Sequence, residues 1–283
     1  MQGTGVLTLG SPTALGDAGG TFTVKSGSLA ATQPLVLVND NPISIAGNFG
    51  FTGDNDLDLG HGAVSLTDAD GTARTITVNG TGVLTLSGDI SDGLTANSIV
   101  KAGAGKLSLT GNLGYTGETV VQDGILSYSN VGSGIGNEAT VNIAALGQID
   151  LAFTGTDVIG SLIIDGVTLS SGTYNSSDPT YGGHFTGAGS LMVGYLGDVN
   201  GDGVVDATDY VILKQHIGTS AGAAVTDGDL DGDFDVDWND LQILISGINA
   251  AGGRGQVAVP EPHSAMLLLA GAGWLIRRRT RKN

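Results

Sequence analysis

Aspartates recur at regular spacing in two loops near the C-terminus, residues 198–209 and 229–240. A calcium-binding loop takes side-chain oxygens from positions 1, 3, 5, 9 and 12, a backbone carbonyl from position 7, and a glycine at position 6. The first loop has Gly203 at the turn, and its candidate ligands are Asp198, Asn200, Asp202, Val204 (through its carbonyl), Asp206 and Asp209. Because every position is filled, the spacing predicts a calcium site in this loop.

The second loop has the same spacing 31 residues further along the chain, as the step from Asp198 to Asp229 shows. Phe234 occupies the glycine position, and a bulky side chain disfavours the positive φ expected there. The aspartate at position 7 either compensates or adds repulsion to an empty loop. We therefore predict a second, less secure calcium site formed by Asp229, Asp231, Asp233, Asp235, Asp237 and Asp240. For both loops the alternative is a solvated acidic turn.

Apolar residues at helical spacing follow each loop, which predicts an exiting helix with one apolar face. Val205 and Val236 occupy the same position in the two loops and could pair across them. The apolar positions after the first and second loops are, in turn, Tyr210, Leu213 and Ile217, then Leu241, Leu244, Ile245 and Ile248. The two units therefore form a duplicated loop-helix pair.

These features make residues 197–249 resemble a type I dockerin, a duplicated calcium loop-helix module that binds cohesin-like receptors in polysaccharide-degrading assemblies. The resemblance implies Ca²⁺ as the bound metal and a cohesin-like receptor as the partner. Dockerins often carry Ser-Thr at loop positions 10 and 11. This chain has Ala207-Thr208 and Trp238-Asn239 there, so the identity of the receptor stays open.

A Gly-x-Gly-x-Leu-x-Leu (or Val) phrase occurs four times in the first 195 residues, at residues 3–9, 80–86, 103–109 and 187–193. Short strands broken by glycine turns predict an all-β array, and the 23-residue step from residue 80 to residue 103 is close to one coil of a β-helix. Stacked coils would bury alternating Leu and Val. The predicted fold is mainly β, a parallel β-solenoid over residues 1–195 followed by the small all-α module. The alternative is a β-sandwich.

The segment 99–126 resembles the autotransporter-associated β-strand repeat, a family that forms passenger-type β-solenoids on bacterial surfaces. The resemblance extends over most of the first 195 residues with varying fidelity. It implies that the solenoid is a stalk or a display surface.

The C-terminal tail follows a Gly-rich linker at residues 250–258 and contains a short apolar segment at 265–276, which we expect to be helical. Such a helix would span about 18 Å, short of the roughly 30 Å hydrocarbon core, so a transient sorting segment fits better than a permanent anchor. Residues 259–283 resemble the PEP-CTERM sorting signal, which implies processing by an exosortase-type membrane enzyme. The alternative is an ordinary tail anchor. The residues that carry the match are Pro260, Glu261, Pro262, Arg277, Arg278 and Arg279.

The composition is acidic and lacks cysteine. The formal net charge of −17 would repel nucleic acid. The absence of cysteine excludes a disulfide framework and thiol chemistry. Met1 leads directly into a repeat, whereas an export signal begins with a charged and then an apolar stretch. Because the tail implies export to the cell surface or beyond, we expect a fragment or a misassigned start codon.

The sequence predicts no catalytic residues. Glycosidases need two facing carboxylates, but the acids of the solenoid are scattered, and the densest patch, residues 54–58, is expected to form a turn. His61 and His184 lie among glycines, as loop histidines do. Aromatic rings that could stack on sugars are Tyr115, Tyr174 and Tyr181. The prediction is a non-enzymatic surface protein for display or adhesion. The alternatives are a polysaccharide lyase or hydrolase, and a carbohydrate-binding scaffold.

Overall fold

The computed structural model describes residues 1–66, 72–93, 95–129, 134–136, 139–170, 172–194, 197–200, 204–223, 225–230 and 235–251. The strands, in chain order, are β1 Val6–Leu9, β2 Phe22–Val24, β3 Ser28–Ala31, β4 Leu35–Val36, β5 Ile43–Ile45, β6 Phe49–Phe51, β7 Leu57–Asp58, β8 Val64–Ser65, β9 Arg74–Val78, β10 Leu84–Leu86, β11 Ile90–Ser91, β12 Ile99–Ala102, β13 Lys106–Leu109, β14 Leu113–Gly114, β15 Thr119–Tyr128, β16 Thr140–Leu151, β17 Thr156–Ile159, β18 Ser161–Ile164, β19 Val167–Thr168, β20 Gly172–Tyr174, β21 Phe185–Gly187 and β22 Ser190–Val193. The helices are α1 Ala207–His216 and α2 Trp238–Ala251, with short 3-10 helices at Gly182–His184 and Val225–Asp227.

Several residues named in the sequence prediction lie outside these segments. They are the candidate ligands Asp202, Asp231 and Asp233, the turn residues Gly203 and Phe234, and the tail from residue 252 onward, with its apolar segment and its sorting motif.

The strands stack on three faces to form a parallel β-solenoid of about six coils. The first face contains β1, β3, β6, β9 and β12, the second contains β4, β7, β10 and β13, and the third contains β2, β5, β8, β11 and β14. Neighbouring strands on each face run parallel. The predicted solenoid is therefore confirmed, and the β-sandwich alternative is wrong because sandwich sheets are antiparallel.

The register between coils places leucine on leucine. Leu84 in β10 pairs with Leu107 in β13, 23 residues later, as the repeat step predicts. On the opposite edge of β10, Leu84 pairs with Leu57 in β7. All three leucine side chains are fully buried. Successive residues of a strand point to opposite faces, so Thr85 and Ser108 lie on the outer surface of the same strands, half-buried.

The repeated glycine phrase leads into a strand at each occurrence, namely β1, β10, β13 and β22. Glycine is needed where two coils come close together. A Cβ atom on Gly82 would lie 2.5 Å from the carbonyl carbon of Asn55 in the preceding coil, well inside the optimal separation of about 3.5 Å or more between carbon atoms. At Gly5, the same position of an identical phrase, nothing lies within 4 Å. Coil stacking therefore requires glycine at residue 82.

The solenoid changes shape at β15 and β16. The first part of β15 pairs with β12 on the first face, and its last part pairs with β13 on the second face, so the two faces merge into one sheet. A register shift between Val121 and Asp123 accommodates this change. Beyond β16, strand β19 pairs antiparallel with β18, and β20 pairs antiparallel with β22. These antiparallel strands close the C-terminal end of the solenoid.

A lysine lies inside the solenoid. Lys101 in β12 is fully buried, and its ammonium donates hydrogen bonds to the main-chain carbonyls of Ala102 (3.1 Å), Gly103 (2.5 Å) and Asp123 (2.8 Å). Burial lowers the pKa of Lys101 to about 8, although the negative charge of Asp123 opposes this change. The amine therefore joins the corner after β12 to the bulge in β15.

A buried carboxyl group also lies in the solenoid. Asp157 Oδ2 accepts hydrogen bonds from the Tyr128 hydroxyl (2.6 Å) and from the Ile135 N–H (3.1 Å). Burial raises the pKa of Asp157 to about 6, although both hydrogen bonds lower it.

The side chain of Tyr115 is buried in the solenoid, and its hydroxyl shares a hydrogen bond of 2.5 Å with the hydroxyl of Thr119. Tyr115 therefore cannot stack on a sugar, so that expectation is wrong.

The C-terminal module contains α1 and α2 after the two loops, as the helical spacing predicts. The apolar face of α1 is less covered than predicted, because Tyr210 and Ile217 are 41% and 45% exposed. No helix within the described ranges is both long enough and apolar enough to cross a membrane. The core of the module is formed by Val205, Leu213, Ala223, Val236, Leu241 and Leu244.

Candidate metal centre

The first loop is closed by the fully buried carboxylate of Asp209. Asp209 Oδ1 accepts hydrogen bonds from the N–H groups of Val199 (2.8 Å) and Asn200 (3.1 Å), and Oδ2 accepts one from Asp206 (2.7 Å). Asp206 in turn caps α1 by accepting the N–H of Thr208 at 2.6 Å, which lowers the pKa of Asp206. One carboxylate thus fastens the start of the loop to its end.

The second loop is closed in the same way by Asp240, which is also fully buried. Asp240 Oδ1 accepts the N–H of Leu230 at 2.6 Å, and Oδ2 accepts the N–H of Asp237 at 2.7 Å. Asp237 caps α2 by accepting the N–H of Asn239 at 2.6 Å. Each bond has its counterpart 31 residues earlier. The described part of the second loop is therefore equivalent to the first.

The donor set fits a calcium ion. Asp235, Asp237 and Asp240 bring carboxylate oxygens within 4.8 Å of one another. The structure therefore brings three of the predicted ligands of the second loop together. Like charges at such distances repel one another, and a hard cation with several oxygen ligands suits this arrangement. The first aspartates of the loops, Asp198 and Asp229, are buried at 4% and 3% exposure.

The remaining predicted ligands of the first loop lie nearer to solvent. Asn200 is exposed, Asp206 is half-buried, and the side chain of Val204 is 54% exposed. Exposure of the Val204 side chain leaves its proposed role unchanged, because that role belongs to the backbone carbonyl.

Each loop packs on the helix of the other unit. A Cβ atom on Gly197 would lie 3.1 Å from Leu244 Cδ1, and one on Gly228 would lie 2.9 Å from Leu213 Cα. Both glycines have positive φ, 103° and 106°, a conformation that glycine adopts without steric cost. The two units therefore interlock through equivalent contacts. The spacing of ligands in the sequence does not predict that each unit packs on the helix of the other.

Three other side chains considered from sequence, those of His184, Tyr174 and Tyr181, have structural partners. Nδ1 of His184 lies 3.1 Å from the Gly147 carbonyl oxygen, and Nε2 lies 3.5 Å from Asp165 Oδ2. Tyr174 and Tyr181 pack edge to face with ring centroids 6.3 Å apart. These contacts hold the end of the solenoid together.

The fold and the two loops define a parallel β-solenoid joined to a duplicated loop-helix module whose clustered carboxylates suit a metal ion. Comparison with known proteins gives the same two parts: residues 196–249 match the dockerin type I domain, and residues 99–127 match the passenger-associated-transport-repeat. The module is therefore similar to the dockerin type I domain, and one segment of the β-solenoid is similar to the passenger-associated-transport-repeat. Type I dockerin domains bind calcium.

The chain is also similar to a protein named Adhesin BmaC autotransporter, from Brucella suis biovar 1 (strain 1330). The two are 30% identical over 188 residues, which cover 62% of this chain and 5% of the adhesin. This chain therefore corresponds to a small part of that relative. No solved structure matches this chain.

Proposed function

We propose that this protein is an exported, non-enzymatic surface protein that displays its β-solenoid and binds calcium and a receptor through its dockerin-type module. The observation that carries the calcium part is the equivalent closure of the two loops by Asp209 and Asp240. The display or adhesion part is supported by the passenger-type repeat and by the name of the relative that shares it.

In this proposal each loop holds one calcium ion through its predicted ligands. The ion neutralises carboxylates that otherwise repel one another and thereby favours the ordered loop. A calcium concentration 100 times the dissociation constant would stabilise the folded module by about 2.7 kcal/mol. The ligands are Asp198, Asn200, Asp202, Val204, Asp206 and Asp209 in the first loop, and Asp229, Asp231, Asp233, Asp235, Asp237 and Asp240 in the second.

Titration calorimetry of the full chain with calcium chloride tests this proposal. We expect saturable binding and a calcium-dependent rise in the melting temperature of the module, followed by tryptophan fluorescence because Trp238 lies in α2. Asp209→Asn removes one ligand charge at nearly constant size and should weaken binding to the first loop about tenfold or more. Asp227→Asn, outside the ligand positions, is the matched control and should bind as the wild type does. Wild-type protein that bound no calcium would refute the metal proposal.

We propose that the receptor is cohesin-like and contacts the exposed apolar side chains at the start of the helices. Trp238, at position 10 of the second loop, is 65% exposed, and Val211 on α1 is 49% exposed. Aromatic side chains are enriched at protein interfaces and often dominate their binding energy. Surface plasmon resonance with a purified type I cohesin should show calcium-dependent binding that Trp238→Ala weakens. Val38→Ala, at a 59% exposed position on the solenoid, should not weaken it. No binding by any cohesin of a representative panel would contradict this receptor class.

For the tail we propose processing by an exosortase-type enzyme near Pro260, Glu261 and Pro262, with transient insertion of the apolar segment into the membrane. The support is the order of the three sequence elements. Mass spectrometry of the mature protein from cells should show that the residues after Pro262 are removed. A mature chain that still ends at Asn283 would contradict export by this route.

The alternative function, degradation or binding of a polysaccharide, receives less support from the solenoid. A glycosidase needs a carboxyl group with a raised pKa that faces substrate. Burial raises the pKa of Asp150, but hydrogen bonds from Lys106 (2.8 Å) and Ser127 (2.9 Å) outweigh burial and hold that pKa below its ordinary value. The pKa of Asp157 is raised, but this carboxyl is 4% exposed and bonded to Tyr128. Turnover of any glycan in a panel of neutral and uronic-acid polysaccharides would favour the alternative.

A further inference from the structure

A cleft of about 320 Å³ lies between the end of the solenoid and the first loop of the module. Its solenoid side is formed by strands β20 and β22, which contribute Thr173 and Met192. Its module side is formed by Val199 and Asn200 at the start of the first loop, together with Val225. The second loop contributes no residue to this cleft among those described. The two otherwise equivalent loops therefore differ in their relation to the solenoid.

Val199 distinguishes the two loops. Its side chain is 2% exposed and lines the cleft, and the described residues that form the module core around α1 and α2 do not include it. Its counterpart 31 residues later, Leu230, is half-buried and packs against that core. Val199 therefore lines the cleft that faces the end of the solenoid, whereas Leu230 packs against the module core.

The main chain of Val199 is fixed by the carboxylate that closes the first loop. Asp209 Oδ1 accepts the Val199 N–H at 2.8 Å and the Asn200 N–H at 3.1 Å. A cation that orders Asp209 therefore also orders the residues that line the cleft. In the second loop the equivalent bond, from the Leu230 N–H to Asp240, fixes a residue that packs against the module core instead.

We infer that calcium in the first loop fixes the module against β20 and β22, so that this loop is the link between calcium binding and the end of the solenoid. The inference rests on the proposed calcium binding and adds an intramolecular interface to it. Strand β20 pairs with β22 over three residues, and β22 pairs with β17, so this sheet depends on few hydrogen bonds. An added contact at its surface should therefore slow its local opening.

Hydrogen exchange of the full chain, with calcium and with EDTA, tests the inference. We expect amide exchange in Gly172–Tyr174 and Ser190–Val193 to slow roughly tenfold with calcium, which corresponds to about 1.4 kcal/mol. Exchange in β7 and β10, in the middle of the solenoid, should be the same in both conditions.

The variant Val199→Ser replaces the buried apolar side chain that lines the cleft but keeps the N–H that Asp209 binds. It should bind calcium as the wild type does, while exchange in β20 and β22 no longer depends on calcium. The matched control is Val38→Ser, the same substitution at a side chain of the solenoid that is 59% exposed, and it should retain the wild-type effect. If the wild type binds calcium but β20 and β22 exchange equally with and without it, the inference is wrong and the proposed calcium binding stands. If the wild type binds no calcium, both fail.

Discussion

The carboxyl group of Asp157 should make the stability of the solenoid depend on pH. Its pKa is raised from 3.8 to about 6 because the side chain is buried. The folded chain therefore binds more protons at this site than the unfolded chain between about pH 4 and pH 6. Stability from this group is present below that window, is lost as the pH rises through it, and changes no further above it. A shift of about two units corresponds to about 3 kcal/mol at most.

The substitution Asp157→Asn isolates this effect, because the amide oxygen can still accept from Tyr128 and from the Ile135 N–H. We expect the wild-type solenoid to lose about 2 kcal/mol relative to the variant between pH 4.5 and pH 7. Urea unfolding followed by circular dichroism at both pH values, with EDTA to exclude calcium effects, measures this difference. Tyr128→Phe removes a hydrogen bond that lowers the pKa of Asp157 and should move the window upward. Equal differences between wild type and Asp157→Asn at the two pH values would refute the reasoning.

Two further predictions use matched substitutions in the solenoid, each measured by urea unfolding. Gly82→Ala should cost about 1–3 kcal/mol because its new methyl group meets the backbone of the preceding coil, whereas Gly5→Ala should have little effect; equal effects would contradict the stacking argument. Leu107→Ala should cost about 2–5 kcal/mol because the side chain is fully buried. Leu146→Ala, at a side chain that is 75% exposed, should change stability by less than about 0.5 kcal/mol, and a large loss there would show that the assigned core is wrong.

The glycine phrases allow the strands to be predicted but not the faces to which they belong. Residues 3–9 and 80–86 are identical in sequence and both lead into strands, yet β1 lies on the first face and β10 on the second. The phrase specifies a glycine turn followed by a strand. The face is set by the number of residues between corners, which varies along the chain.

The candidate metal centre can be predicted from sequence more completely than its surroundings. Calcium-loop spacing singles out Asp209 and Asp240, and both are the buried carboxylates that close the two loops. Val199 lines a cleft together with Thr173 and Met192, which lie far from it in the sequence, so no local pattern could reveal this placement. For Lys101 a local signal existed: alternation places it on the same face as Ile99, and both side chains are fully buried.

The 31-residue repeat of the module is a unit of sequence but not a unit of folding. Gly197 packs on Leu244 and Gly228 packs on Leu213, so each half provides a surface on which the other half closes. A single copy of the repeat would lack that surface. The module therefore needs both copies of the repeat to fold. A substitution in one half must also be compatible with the surface of the other half on which it packs.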